Sequence, residues 1–144
     1  MSDKFAVGID GSDASKRALD FAVARAKAQG GTVLLVHVLE WSPYSFLTPS
    51  ELEERHKRRQ EELDRASAWV VTPLVDALKK DGVAVETVIK YGHIADTLAE
   101  VAEANGATQI VIGRNGHSSI GSRVFGSVAG SLVQTSPVPC TIVP

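Results

Sequence analysis

The chain reads as an α/β domain, a parallel sheet with helices on both faces, on three observations. Five short apolar runs are bounded by turn residues: Phe5–Ile9, Thr32–Leu39, Val83–Lys90, Ile110–Ile112 and Cys140–Val143. Segments with apolar residues at helical spacing stand between them, so strand and helix alternate. Most of the runs are apolar at successive positions, as strands covered on both faces require. Parallel strands joined in this way take right-handed crossovers.

The elements follow in order. Phe5–Ile9 ends at Asp10-Gly-Ser-Asp13, where Ser12 or Asp13 can cap the next helix. Ala14, Ala18, Leu19, Phe21, Ala22 and Ala26 form the apolar stripe of that helix, and Gln29-Gly-Gly31 stops it. Thr32–Leu39 is the longest buried strand. Glu40 to Pro49 carries two prolines, two serines and three aromatics, and reads as a loop over the ligand edge. Glu51 to Arg65 is a charged, solvated helix whose alternating signs permit i,i+4 pairs. Ala66 to Val71 continues it with a buried face.

Pro73 lacks an N–H and clashes one turn back in a helix. Either Thr72 caps a new helix with Pro73 at its first position, or one long helix kinks there; Gly82 ends it. Val83–Lys90 alternates more than the other strands, with Glu86 and Lys90 on the side of Ala84 and Val88, which suits a sheet edge. Gly92-His93 leads into a helix with the stripe Ile94, Leu98, Val101 and Ala102, closed by Asn105-Gly106. The fourth strand is Ile110–Ile112, a helix follows Ser127, and Cys140–Val143 is a short last strand.

At 144 residues the chain is one domain, residues 1–144, large enough for a substantial core. Its 44% hydrophobic and 22% charged content is that of a soluble globular protein. A net charge of −2 leaves no basic footprint for nucleic acid. One cysteine, Cys140, excludes an internal disulfide. No apolar run reaches a membrane span and no signal peptide is evident, so the expected location is the cytoplasm, without membrane insertion.

The most informative stretch is Gln109-Ile-Val-Ile-Gly113-Arg-Asn-Gly116-His117, followed nine residues after Gly116 by Gly126-Ser127. A buried strand ends at one glycine, a second comes two residues on, and a helix with Val128, Leu132 and Val133 begins behind the last. Glycine lets backbone N–H groups approach an anion closely, and the helix start adds unpaired N–H groups. A surface loop with ordinary turn glycines has the same composition. Neither G-x-x-x-x-G-K-[ST] nor G-x-G-x-x-G occurs, which speaks against a Walker-type NTPase and a dinucleotide dehydrogenase.

Single residues divide as follows. Arg114 and Arg123 lie in the loop, within reach of phosphate oxygens. Asp10 is a lone carboxylate at the end of a buried strand: a metal ligand through phosphates, a contact near a nucleoside, or a capping residue. His37, inside a strand, reads as half-buried and structural; His93 lies toward the same edge; His117, in the glycine loop, is the best histidine to touch ligand. No histidine pair has metal-ligand spacing, no metal is expected on the protein itself, and no catalytic residue can be named. Cys140 reads as a packing residue.

Gly113-x-x-Gly116, nine residues, Gly126-Ser127 resembles the nucleotide-binding signature of the universal stress protein family. The resemblance spans the chain from Val7-Gly-Ile-Asp10-Gly-Ser12 to Pro139-Cys-Thr-Ile-Val143. It implies a Rossmann-like sheet of order 3-2-1-4-5, which makes strands one and four neighbours and brings Asp10 and Gly113 to one crevice. It implies ATP, with Mg²⁺ through the phosphates, held by Ile9, Asp10, Val38, Gly113, Gly116, Gly126, Ser127 and Val128, to which the loop reading adds Arg114 and His117. Val38 would meet the adenine through its backbone; Gly113, Gly116, Gly126, Ser127 and Val128 would meet ribose and phosphates. Asn115 departs from a frequently basic position beside the second glycine, and Thr108-Gln109 from an acidic-apolar pair before strand four. A homodimer through the terminal strand and a regulatory protein partner are also implied.

Three functions stand at this stage. The first is a small ATP-binding regulatory protein of the universal stress type. The second is a slow ATPase or phosphotransferase using Asp10 and a metal. The third is an interaction module whose pocket stays empty.

Overall fold

The computed structural model describes residues 3–39, 49–114 and 127–144. The strands are β1 (Lys4–Gly8), β2 (Thr32–Leu39), β3 (Ala84–Tyr91), β4 (Gln109–Gly113) and β5 (Cys140–Val143). The helices are α1 (Asp13–Gln29), α2 (Pro49–Ala66), α3 (Thr72–Lys80), α4 (Ile94–Ala104) and α5 (Ser127–Thr135), with a π-helical turn, Ser67–Val71, joining α2 to α3. All paired strands are parallel, in the order β3-β2-β1-β4-β5. The expected architecture and strand order are both present. The apolar run at Phe5 gives a strand that stops at Gly8, one residue before Ile9, and β4 starts one residue early, at Gln109.

Successive side chains of a strand point to opposite faces, and the sheet divides its core accordingly. Phe5, Val7, Val33, Leu35 and Val111 pack with Leu19 and Val23 of α1 and Leu78 of α3. Ala6, Leu34, Val36, Ile110 and Ile112 pack with Leu98 and Val101 of α4 and Leu132 of α5. Each central strand therefore needs apolar residues at every position, which is why β1, β2 and β4 read as continuous runs. At β3 the demand relaxes: Glu86 and Lys90 are exposed, as an edge strand allows, and Lys4 Nζ pairs with Glu86 at 3.0 Å.

The Pro73 question resolves toward one long helical path. The Thr72 amide donates to the Ser67 carbonyl, five residues back, and the backbone stays in the right-handed helical region through Val71 and Thr72. No side chain caps α3 at Val71. A π turn widens the helix locally, and that widening accommodates a proline that can supply no N–H one residue later. Along α2, Arg58 and Glu54 form the anticipated i,i+4 pair at 3.9 Å, both largely exposed. Such pairs contribute little. Thr108, at the departure before β4, ties that connection to β1: its amide donates to the Lys4 carbonyl at 2.8 Å. Among the described residues no helix is long and apolar enough to cross a membrane.

Candidate functional site

Reversal of strand order places β1 between β2 and β4, so their carboxyl ends share one edge. Open α/β sheets form a crevice at such a switch point. The pairing of β1 with β4 reaches Val7↔Val111 and that with β2 stops at Gly8↔Val36, whereas β2 runs on to Leu39. The chain leaves β1 through Ile9 and Asp10. Val38, two residues beyond Val36 on the same edge of β2, lies past the end of β1. At that depth β1 no longer stands as a strand between β2 and β4.

The turn from β1 into α1 is held by a set of hydrogen bonds. The Ile9 amide donates to the Val36 carbonyl at 2.9 Å. His37 Nδ1 lies 2.7 Å from the Ile9 carbonyl. The Asp10 amide donates to Ser15 Oγ at 3.4 Å, and Asp10 Oδ1 accepts from the Ser12 amide at 2.9 Å. Ser12 Oγ caps α1 by accepting from the Ser15 amide at 3.1 Å, and Ser15 Oγ donates to the Ser12 carbonyl at 3.0 Å. Gly11, at φ 80°, makes the reversal with the left-handed backbone that glycine adopts without a Cβ clash. Of the two candidate caps, Ser12 is the cap and Asp13 is the first helical residue, where its charge suits the helix dipole.

Opposite this turn, β4 ends at Gly113. A Cβ there would meet the backbone of Ala14 in the first turn of α1, so the missing side chain lets the helix start lie against the strand end. The Arg114 amide donates to the Val143 carbonyl at 2.8 Å and ties β5 to the same edge. At the far side of the edge, the Tyr91 hydroxyl donates to Glu62 and Arg59 lies 5.5 Å from the Tyr91 ring centroid. Burial, the Glu62 hydrogen bond and the Glu62 charge push the Tyr91 hydroxyl up to about 12.

Ile9, Asp10, Val38, Gly113 and Arg114 lie at or just beyond the carboxyl ends of β1, β2 and β4. Ile9 is buried, Asp10 and Val38 half-buried and Arg114 exposed. Ser127 and Val128 open α5, with Val128 packed toward the α4 side of the core. Gly116, His117, Arg123, Gly126 and the expected loop from Glu40 lie outside the described residues. His93 precedes α4 without capping it. His37 is buried at 7% exposure, deeper than its half-buried expectation. Sequence reading missed Ser15 and the partner of His37. One signal was present: His37 is the only polar residue of β2 after Thr32, and a buried N–H requires an acceptor. Among the described residues no three His, Cys, Asp or Glu side chains come together as a metal site.

Comparison with known proteins fits this geometry. A family model described as the universal stress protein family matches residues 1–144. A universal stress protein of Thermus aquaticus is 35% identical over 138 residues, covering 93% of each chain. Universal stress protein UspA from Lactobacillus plantarum superposes with a TM-score of 0.80 at 22% identity, covering 99% of this chain and 97% of that one. A universal stress protein solved in complex with cAMP superposes with a TM-score of 0.64 at 26% identity, over 99% of this chain and 97% of that one.

Proposed function

The chain belongs to the universal stress protein family, and on that premise we propose that it is a regulatory protein that holds ATP at the crevice between β1 and β4. One observation carries the reading. Asp10 follows β1 by two residues and Gly113 ends the neighbouring β4 at the switch point, where Val38 of β2 extends beyond β1. The glycine motif completed by Gly116, Gly126, Ser127 and Val128 supplies the phosphate side. The cAMP complex of a relative supports an adenine nucleotide as the class of ligand. Ile9, Arg114 and His117 flank the site, and Mg²⁺ enters through the phosphates. Occupancy sets a state that a protein partner reads.

Binding is favoured over turnover because the Asp10 carboxylate already serves the turn through the Ser12 amide. Rapid phosphoryl transfer needs a base, a positioned water and a transition-state cation together. The test is mass spectrometry of small molecules released from purified protein, followed by calorimetric titration with ATP and cAMP. Released adenine nucleotide and saturable heat support the reading; neither would leave the interaction-module function. Turnover in the usual enzyme range, on the order of 10 per second, would replace the binder with an enzyme.

The same proposal includes a homodimer through β5. This strand is a sheet edge and all four of its residues are partly exposed. Val133 of α5, next before β5, is 57% exposed. An edge strand offers unpaired N–H and C=O groups to a second copy, and a two-fold pairing closes the assembly. Light scattering at micromolar concentration tests it, and a monomer with and without ATP would exclude it.

A further inference from the structure

We propose that His37 is a positioning residue for the ligand site: it fixes the Ile9–Asp10 peptide, from which the Asp10 carboxylate and the Ser12 amide are held at the crevice. For what the site takes, the inference rests on the nucleotide-binding reading above. For how the site is held, it rests on one hydrogen bond and its neighbours.

A carbonyl oxygen can only accept, so the His37 Nδ1 that lies 2.7 Å from the Ile9 carbonyl carries the proton. A buried polar ring in an apolar strand costs stability unless it is bonded, and this bond goes to a residue at the site. Ile9 is pinned to β2 at both ends, its amide by the Val36 carbonyl at 2.9 Å and its carbonyl by His37. Pairing of the two backbones has stopped at Gly8↔Val36, so a side chain takes over where the strand ends.

The consequence passes through one rigid unit. The C=O of Ile9 and the N–H of Asp10 belong to a single planar peptide. Fixing the carbonyl from β2 therefore fixes the direction of the Asp10 N–H, which points to Ser15 Oγ of α1 at 3.4 Å. His37 and Ser15 hold the two sides of that plane. Asp10 follows immediately, and its carboxylate orders the Ser12 amide at 2.9 Å.

Two substitutions separate the hydrogen bond from the packing. His37→Phe keeps the ring volume and loses the donor. His37→Asn keeps an N–H near the Nδ1 position and loses volume. Both lower the melting temperature, but the proposal makes site geometry follow the donor. Titrated with ATP, His37→Phe weakens binding roughly tenfold, as loss of about one hydrogen bond does, and His37→Asn stays near wild type. In parallel, the Asp10 and Ser12 amide resonances move in His37→Phe and return toward wild type in His37→Asn. Affinity that follows volume, or Asp10 and Ser12 amides unmoved in His37→Phe, overturns the proposal. Should His37→Phe fail to fold, His37→Asn decides: wild-type amides and affinity support the proposal and their loss rejects it. If wild-type protein binds no ATP, the nucleotide reading fails on its own, and the two amides still decide the role of His37.

Discussion

A Cβ on Gly113 would sit 2.8 Å from the backbone carbon and oxygen of Ala14 and 2.9 Å from its Cβ. Those atoms belong to the first turn of α1 and cannot rotate away as a side-chain tip can. Gly113→Ala therefore forces β4 and α1 apart, a strain of about 1–3 kcal/mol. Gly8 provides the contrast: there an added Cβ meets the ends of Leu98 and Ile112 side chains at 3.1 and 3.2 Å. Urea unfolding of both variants should show the larger loss of stability in Gly113→Ala. The opposite order would mean that α1 yields more easily than the Leu98 side chain.

Ser12 joins stability to the site. Its Oγ caps α1 and its amide is held by the Asp10 carboxylate. Ser12→Ala removes the cap and should cost about 1 kcal/mol, read as an earlier midpoint at unchanged slope in denaturant. ATP should also bind more weakly, because the turn that carries Asp10 loses a restraint. A variant that unfolds earlier but binds ATP with wild-type affinity would show that the cap and the site are independent.

The raised Tyr91 hydroxyl predicts a dependence of stability on alkaline pH. Burial of the ring first, then the hydrogen bond to Glu62 and the Glu62 charge, raise its hydroxyl from 10.0 to about 12, with Arg59 acting in the lowering direction. The fold thus favours the protonated hydroxyl. Its contribution is complete below pH about 10, shrinks as pH rises toward about 12, and is gone above that. The contact lies at the protein surface, so solvent screening keeps the effect small. Melting temperatures measured across this window should fall less steeply in Tyr91→Phe than in wild type. Parallel curves would remove Tyr91 as the cause.

The strand ends at the candidate site were legible because buried parallel strands leave a local signature. Val7, Val36 and Val111 each sit in a run that a two-sided core requires. Asp10 and Gly113 stand out as the first residues after or at the end of such runs. The order of the strands came from the family resemblance, since alternation alone gives parallel pairing without sequence. Contacts between distant residues left no local trace. The bond from His37 to Ile9 joins residues 28 apart, and nothing in either neighbourhood names the other. Gly113 illustrates a second limit. A glycine beside a ligand loop reads as room for phosphate, yet its own Cβ position is filled by Ala14. At Pro73 the sequence offered a cap or a kink; the chain instead widens one turn beforehand, a solution in backbone geometry that side-chain pattern does not encode.

The phosphate role of the glycine loop is tested most directly at Gly126, the glycine that precedes the start of α5. On the proposed reading a side chain at this position enters the space through which the phosphates approach the backbone. Gly126→Val should abolish ATP binding, and a β-branched residue also resists any positive φ that the loop needs. Core strands and helix faces are untouched, so far-ultraviolet circular dichroism should persist. Ligand at about 100 times its dissociation constant stabilises a fold by roughly 2.7 kcal/mol. In a domain near this size each kcal/mol moves the melting temperature by about 2–4 °C. Wild type should therefore gain roughly 5–11 °C with saturating ATP, and Gly126→Val almost nothing. Ser127→Ala should fall between them, having lost one hydroxyl but kept its backbone donor. An equal shift in wild type and Gly126→Val would place ATP elsewhere on the protein and remove the glycine loop from its binding site.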